Sequence, residues 1–137
     1  MKVVLDTNII LSSISPYSPY KFVFDQFEAG SYTLSLTTEI LLEYEEKLTA
    51  NFSPFVAELI VGGIVLKSNV QFTEVFFNWR LIFDDLDDNK FVDCALASNA
   101  DYLVTNDRHF SVLKSIPFPS LKVIKIEEFI DLLKNRN

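Results

Sequence analysis

Short apolar runs, separated by stretches of helical period, limit what this chain can fold into. Val3–Leu5, Tyr32–Leu36, Tyr102–Val104 and Val123–Ile126 each read as a strand, and Val70–Thr73 is a further candidate. Their apolar character is closer to continuous than to alternating. A strand of that kind is buried on both faces, as in a parallel sheet covered by helices on either side. Strands and helices alternate along the chain, which suits parallel strands because each crossover needs a long connection. The expected fold class is therefore α/β, three layers of α/β/α around a mostly parallel sheet. With 137 residues, 49% of them hydrophobic and thirteen of them Phe, the chain has material for one well-filled domain spanning residues 1–137.

The helical stretches carry their own start and stop signals. Ser18-Pro19 opens the first, with Tyr20, Val23, Phe24 and Phe27 as its stripe and Gly30 as its stop. Thr37 or Thr38 caps a second, whose stripe is Ile40, Leu41, Tyr44 and Leu48. Ser53-Pro54 opens a third that runs to about Leu66, with Gly62-Gly63 inside it as a weak spot or a close-packing point. Asp87 or Asp88 opens a fourth, with Asp88, Phe91, Val92, Ala95 and Leu96 on one face. A short helix is expected around Phe110–Lys114, and Ile126, Phe129, Ile130 and Leu133 mark the closing one. Residues 67–87 show little period beyond the Val70 strand. Phe76, Phe77 and Trp79 there fit core filling or an exposed partner patch.

Acids at inward-looking positions carry the chemistry. Asp6 closes the first strand, and Asp107 follows the Tyr102–Val104 run through Thr105 and Asn106. Asp88 shares the face of Phe91 and Val92, and Glu43 borders the second helix's stripe one turn after Ile40. Open parallel sheets place ligands at the carboxyl edge of their strands, where these four can meet. Carboxylates at close range cannot all stay ionised without cations. An all-oxygen divalent-metal site suits phosphate chemistry. Each acid also has an ordinary explanation. Asp6 and Asp107 sit in sequences that favour turns and helix caps. Asp88 suits the dipole of a helix start. A mid-helix Glu beside Glu45 and Glu46 is usually solvated. Asp84, Asp85 and Asp87 read as mostly solvated, and the 84–88 run lacks the Gly and distal Glu of an EF-hand. Asp93 lies roughly 140° around the helix from Asp88 on ideal geometry, so it reads as support behind the acids or as surface.

Bulk properties exclude several classes. The net charge of −7 argues against nucleic-acid binding by a basic surface, unless bound cations offset part of it. The single Cys, Cys94, excludes an intrachain disulfide, fits a reducing cytoplasm and reads as a buried thiol. No apolar run is long enough for a membrane span, and the opening residues lack a signal-peptide layout. His109 is the only His, so a His-rich metal site is excluded, and no Gly-x-Ser-x-Gly elbow accompanies it. No phosphate-binding glycine loop is present.

Four segments together resemble a known family. They are Val3–Asn8, Thr38–Tyr44, Asp87–Ala97 and Ala100–Asp107. In that order and spacing the chain resembles PIN-domain ribonucleases, in particular the small group described as toxin components of toxin–antitoxin pairs. The resemblance covers nearly the whole chain and implies a PIN-like α/β/α fold. It places the family's acids on Asp6, Glu43, Asp88 and Asp107, as ligands of Mg²⁺ or Mn²⁺. Supporting polar positions map to Asn8 and to Thr105 or Asn106. The chain departs from the family pattern at Asn106, where Gly is common, and at Asp84-Asp85-Leu86, where an Arg-Asp-Pro-like turn is common. The implied reaction is hydrolysis of RNA phosphodiester bonds, with Lys90, Arg108 and His109 as candidate RNA contacts. A cognate antitoxin and a homodimer are the implied protein partners, in the cytoplasm and away from membranes. Two other readings remain open. One is a PIN-fold interaction module that does not cleave. The other is a receiver-like phosphoacceptor domain, for which Lys122 or Lys125 is available but Glu43 has no role. A haloacid-dehalogenase-like phosphatase would need Asp where Asn8 stands.

Overall fold

Residues 1–136 are described by a computed structural model. Five parallel strands form one sheet: β1 (Lys2–Leu5), β2 (Thr33–Leu36), β3 (Val70–Phe72), β4 (Tyr102–Val104) and β5 (Val123–Ile124), in the order β3-β2-β1-β4-β5. Val3, Val4 and Leu5 are all essentially inaccessible. Successive strand residues point to opposite faces, so both faces of the central strand are covered. Register is set by Val3 opposite Tyr102 and Leu5 opposite Val104 on one side, and by Val3 opposite Leu34 on the other.

Among the described residues six α-helices surround the sheet: α1 (Thr7–Ile14), α2 (Lys21–Glu28), α3 (Thr38–Asn51), α4 (Pro54–Leu66), α5 (Asn89–Ala97) and α6 (Ile126–Asn135). α5 packs on β1, β2 and β4, α3 packs on α1 and α4, and α2 meets α6. The expected caps form. Thr37 Oγ1 accepts from the Ile40 amide, and Ser53 Oγ accepts from the Val56 amide. Gly30 ends α2 at φ +80°, with its amide donating to the Phe27 carbonyl and the Ser31 amide to the Gln26 carbonyl. Among these residues only a glycine enters that left-handed geometry without strain. Ser18 does not cap an α-helix directly, because the stretch through Tyr20 is a turn and α2 begins at Lys21.

Residues 7–14 form α1, a helix the sequence does not announce, since Asp6-Thr7-Asn8 reads as turn chemistry. The expected short helix around Phe110–Lys114 forms as a 3-10 helix over residues 108–115, and a second 3-10 turn, Leu86–Asp88, precedes α5. Residues 73–83 have no regular structure, yet they are held in place. The Asn89 side chain accepts from the Ile82 amide and donates to the Ile82 and Leu86 carbonyls, and Asp93 accepts from the Trp79 amide. Phe76 and Phe77 are exposed, so they do not fill the core. Cys94 is buried, and burial pushes its thiol up to about 11, which makes it inert at neutral pH.

Candidate active site

The strand order reverses direction at β1, which pairs with β2 on one side and β4 on the other. Open α/β sheets bind ligands at such a switch point, beyond the carboxyl ends of the strands. The residues that leave β1 and β4 at this edge are Asp6 and the Thr105–Asp107 segment. The Asp6 amide donates to the Val104 carbonyl at 3.0 Å, which carries the β1–β4 pairing one residue beyond the strand. Asp6 precedes α1, but its carboxylate does not cap that helix. Instead Oδ2 accepts from Thr105 Oγ1 at 2.8 Å, in a site where Asp6 is 6% exposed. Burial raises its pKa, the Thr105 bond opposes this, and the charges of Asp107 and Glu43 raise it further.

Asp88 reaches the same place from the start of α5. Its side chain is 13% exposed and makes no helix-capping bond. Burial pushes its carboxyl up to about 6, with Asp85, Asp107 and Asp6 adding repulsion and His109 opposing. Its Oδ2 has no hydrogen-bond partner among the described residues. Asp107 does act as a cap, since its Oδ1 accepts from the His109 amide at 2.9 Å. The same oxygen lies 3.3 Å from His109 Nδ1, which in turn is 3.6 Å from Asp88 Oδ2. His109 Nδ1 is likewise buried without a hydrogen-bond partner among the described residues. Asp85, Asp88 and His109 present ligand atoms within 4.8 Å of one another.

Glu43 flanks this group from α3. Its Oε2 accepts from the Thr7 hydroxyl, and its Oε1 meets Lys90 Nζ at 2.7 Å. Lys90 also meets Asp87 Oδ1 at 2.9 Å, and its side chain is only 7% exposed. Burial lowers the pKa of this ammonium, but its bonds to Glu43 and Asp87 outweigh burial and hold it above the ordinary lysine value. The Lys90 bond in turn holds Asp87 below the usual carboxylate value.

The remaining expected positions fall into four groups. Thr105 is central, because its hydroxyl donates to Asp6 while accepting from the Asp107 amide at 3.0 Å. Asn106 turns away from the acids and accepts from the Ile126 amide at the start of α6. Asn8 and Arg108 are exposed. Asp93 is buried against the 73–83 segment, where burial raises its pKa and the Trp79 amide opposes this. Three contributors escaped the sequence analysis. Thr7 resembles any turn threonine, Asp85 sits in a run of acids with no period, and Asn89 acts on a segment that shows no pattern. Arg80, at φ 55°, stands at the edge of the site in that same patternless segment. With Asn78, Phe83, Leu86, Lys90 and Asp93 it lines a cleft of about 650 Å³.

The donor set fits a divalent cation. It is carboxylate-rich, and one buried carboxylate oxygen and one buried ring nitrogen have no hydrogen-bond partner among the described residues. A family model described as PIN domain matches residues 2–109, a range that contains every acid named here. No curated protein matches the chain. Among solved structures, a chain of the crystal structure of VapBC2 from Rickettsia felis, bound to a DNA fragment from their promoter, superposes with a TM-score of 0.63. The match covers 91% of this chain and 98% of that one at 20% identity, which speaks for the fold. Among the described residues no helix is long and apolar enough to cross a membrane.

Proposed function

The chain belongs to the PIN domain family, and from that premise we propose that it is a metal-dependent endoribonuclease acting as the toxin of a toxin–antitoxin pair. The observation that carries this is Oδ2 of Asp88, buried near Asp6, Asp85 and Asp107 with no hydrogen-bond partner among the described residues. An oxygen in that position gains most from a cation. Asp6, Asp88 and Asp107 would hold Mg²⁺ or Mn²⁺, with His109 beside them and Glu43 bordering the site. A bound divalent ion supplies an acidified water and neutralises charge on phosphate.

The protein's own residues do the positioning. Thr105 orients the Asp6 carboxylate by its hydrogen bond and keeps Asp107 in place through its amide. The cleft beside Lys90 offers Arg80 for phosphate and the exposed Phe83 for stacking, a combination suited to single-stranded RNA. An antitoxin partner is supported by the VapBC2 neighbour. The exposed Phe55, Leu59 and Leu66 of α4 offer apolar surface to such a partner or to a second copy. Purified wild-type protein is expected to cleave RNA with Mn²⁺ or Mg²⁺ and not with EDTA. Asp6→Asn and Asp88→Asn should each lower the rate by at least about 100-fold, as expected for loss of a major electrostatic contributor. Cleavage by either variant at the wild-type rate would overturn the site.

A further inference from the structure

We propose that the Lys90 ammonium serves as a built-in second cation, so that the site takes up one divalent ion on the Asp6–Asp88–Asp107 side and none at Glu43. This rests on the metal-dependent reading above and fixes its stoichiometry.

The acids divide into two sets by what neutralises them. Both oxygens of Glu43 are engaged, Oε1 by Lys90 at 2.7 Å and Oε2 by the Thr7 hydroxyl. The ammonium is engaged as fully. It reaches Glu43 Oε1, Asp87 Oδ1 at 2.9 Å and the Asp87 carbonyl at 2.9 Å. Those three acceptors match the three N–H donors of a lysine. The side chains of Lys90 and Glu43 are 7% and 16% exposed, so the pair lies mostly out of water. A buried ammonium without its partners is strongly disfavoured.

Asp88 presents the opposite case. Its Oδ2 and the facing His109 Nδ1 lack hydrogen-bond partners among the described residues, and the charges of Asp85, Asp107 and Asp6 repel it. Lys90 gives no relief there. A divalent ion at Glu43 would have to displace the ammonium or the Thr7 hydroxyl from that carboxylate and then sit beside an ammonium still held by Asp87, like charge against like charge. An ion at Asp88 Oδ2 breaks no hydrogen bond among the described residues, and the His109 ring stands beside that oxygen at 3.6 Å. Lys90 is therefore a positioning residue. It comes from α5, Glu43 from α3 and Asp87 from the 3-10 turn, so one ammonium fixes three elements at the edge of the site.

Mn²⁺ counted on the intact protein, by isothermal titration and by loss of the free-ion EPR signal, tests this. Wild type and Lys90→Arg are expected to bind one Mn²⁺ per chain. Lys90→Gln is expected to bind a second, weaker Mn²⁺. Two ions on wild type would overturn the inference while leaving the metal-dependent reading intact. A single ion on folded Lys90→Gln would also overturn it. If Lys90→Gln does not fold, the wild-type count still decides. No Mn²⁺ on wild type would overturn the metal-dependent reading itself.

Discussion

Asp88 ionises in surroundings that resist the charge. Its pKa rises from 3.8 to about 6, chiefly through burial and then through neighbouring acids. The folded state therefore holds this proton more tightly than the unfolded one. The resulting stabilisation is complete below the unfolded value and is lost as pH rises through about 6. In EDTA the melting temperature should fall across that window, and Asp88→Asn should flatten the fall. Identical profiles for the two proteins would contradict it. Thr105 is the complementary case, a neutral residue with two obligations. Thr105→Val would leave the Asp107 amide without its partner and remove the Asp6 bond, at an expected loss of about 1–3 kcal/mol in denaturant unfolding. Asp6 and Asp107 were legible because strand ends mark themselves by an apolar run that stops. Thr105 was legible only through the family resemblance, and Thr7 and Asp85 carried no signal that distinguishes them from solvated neighbours.

At the scale of elements, periodicity revealed those helices whose stripe faces one layer. It missed α1, whose Thr7-Asn8-Ile9-Ile10 start combines turn formers with β-branched residues of modest helix propensity. Burial of Ile9, Ile10 and Ser13 accounts for that helix, and local preference does not. The 73–83 segment was unreadable for a related reason, since its order comes from Asn89 and Asp93, which lie outside it. Asn89→Ala should cost about 2–3 kcal/mol by stranding the Ile82 amide and carbonyl. Hydrogen exchange should then quicken around residues 78–86, and unchanged exchange there would refute the clamp. In α4, a Cβ at Gly62 or Gly63 meets nothing within 4 Å. The pair is thus a weak spot and not a close-packing point. Gly63→Ala should raise stability by about 0.5–1 kcal/mol in thermal unfolding, and a loss would show that the helix needs its flexibility.

For the whole molecule, the α/β class followed from continuous apolar strands alternating with helices. Strand order did not, because nothing in the residues of β1 announces that β2 and β4 are its neighbours. That order brings Asp6 and Asp107 together from opposite ends of the chain. The net charge of −7 is then partly a property of one edge, where acids outnumber the nearby Lys90 and His109. An edge so charged attracts cations before it attracts phosphate. The most direct measurement is a melting curve at neutral pH with Mn²⁺ against EDTA, for wild type and Asp88→Asn. Ligand binding to the native state alone stabilises it by about 2.7 kcal/mol at a hundred times Kd. Wild type should therefore melt higher with Mn²⁺, and the variant should lose most of that gain. A wild-type midpoint that stays fixed at Mn²⁺ well above millimolar would contradict the proposal of a metal site at this edge.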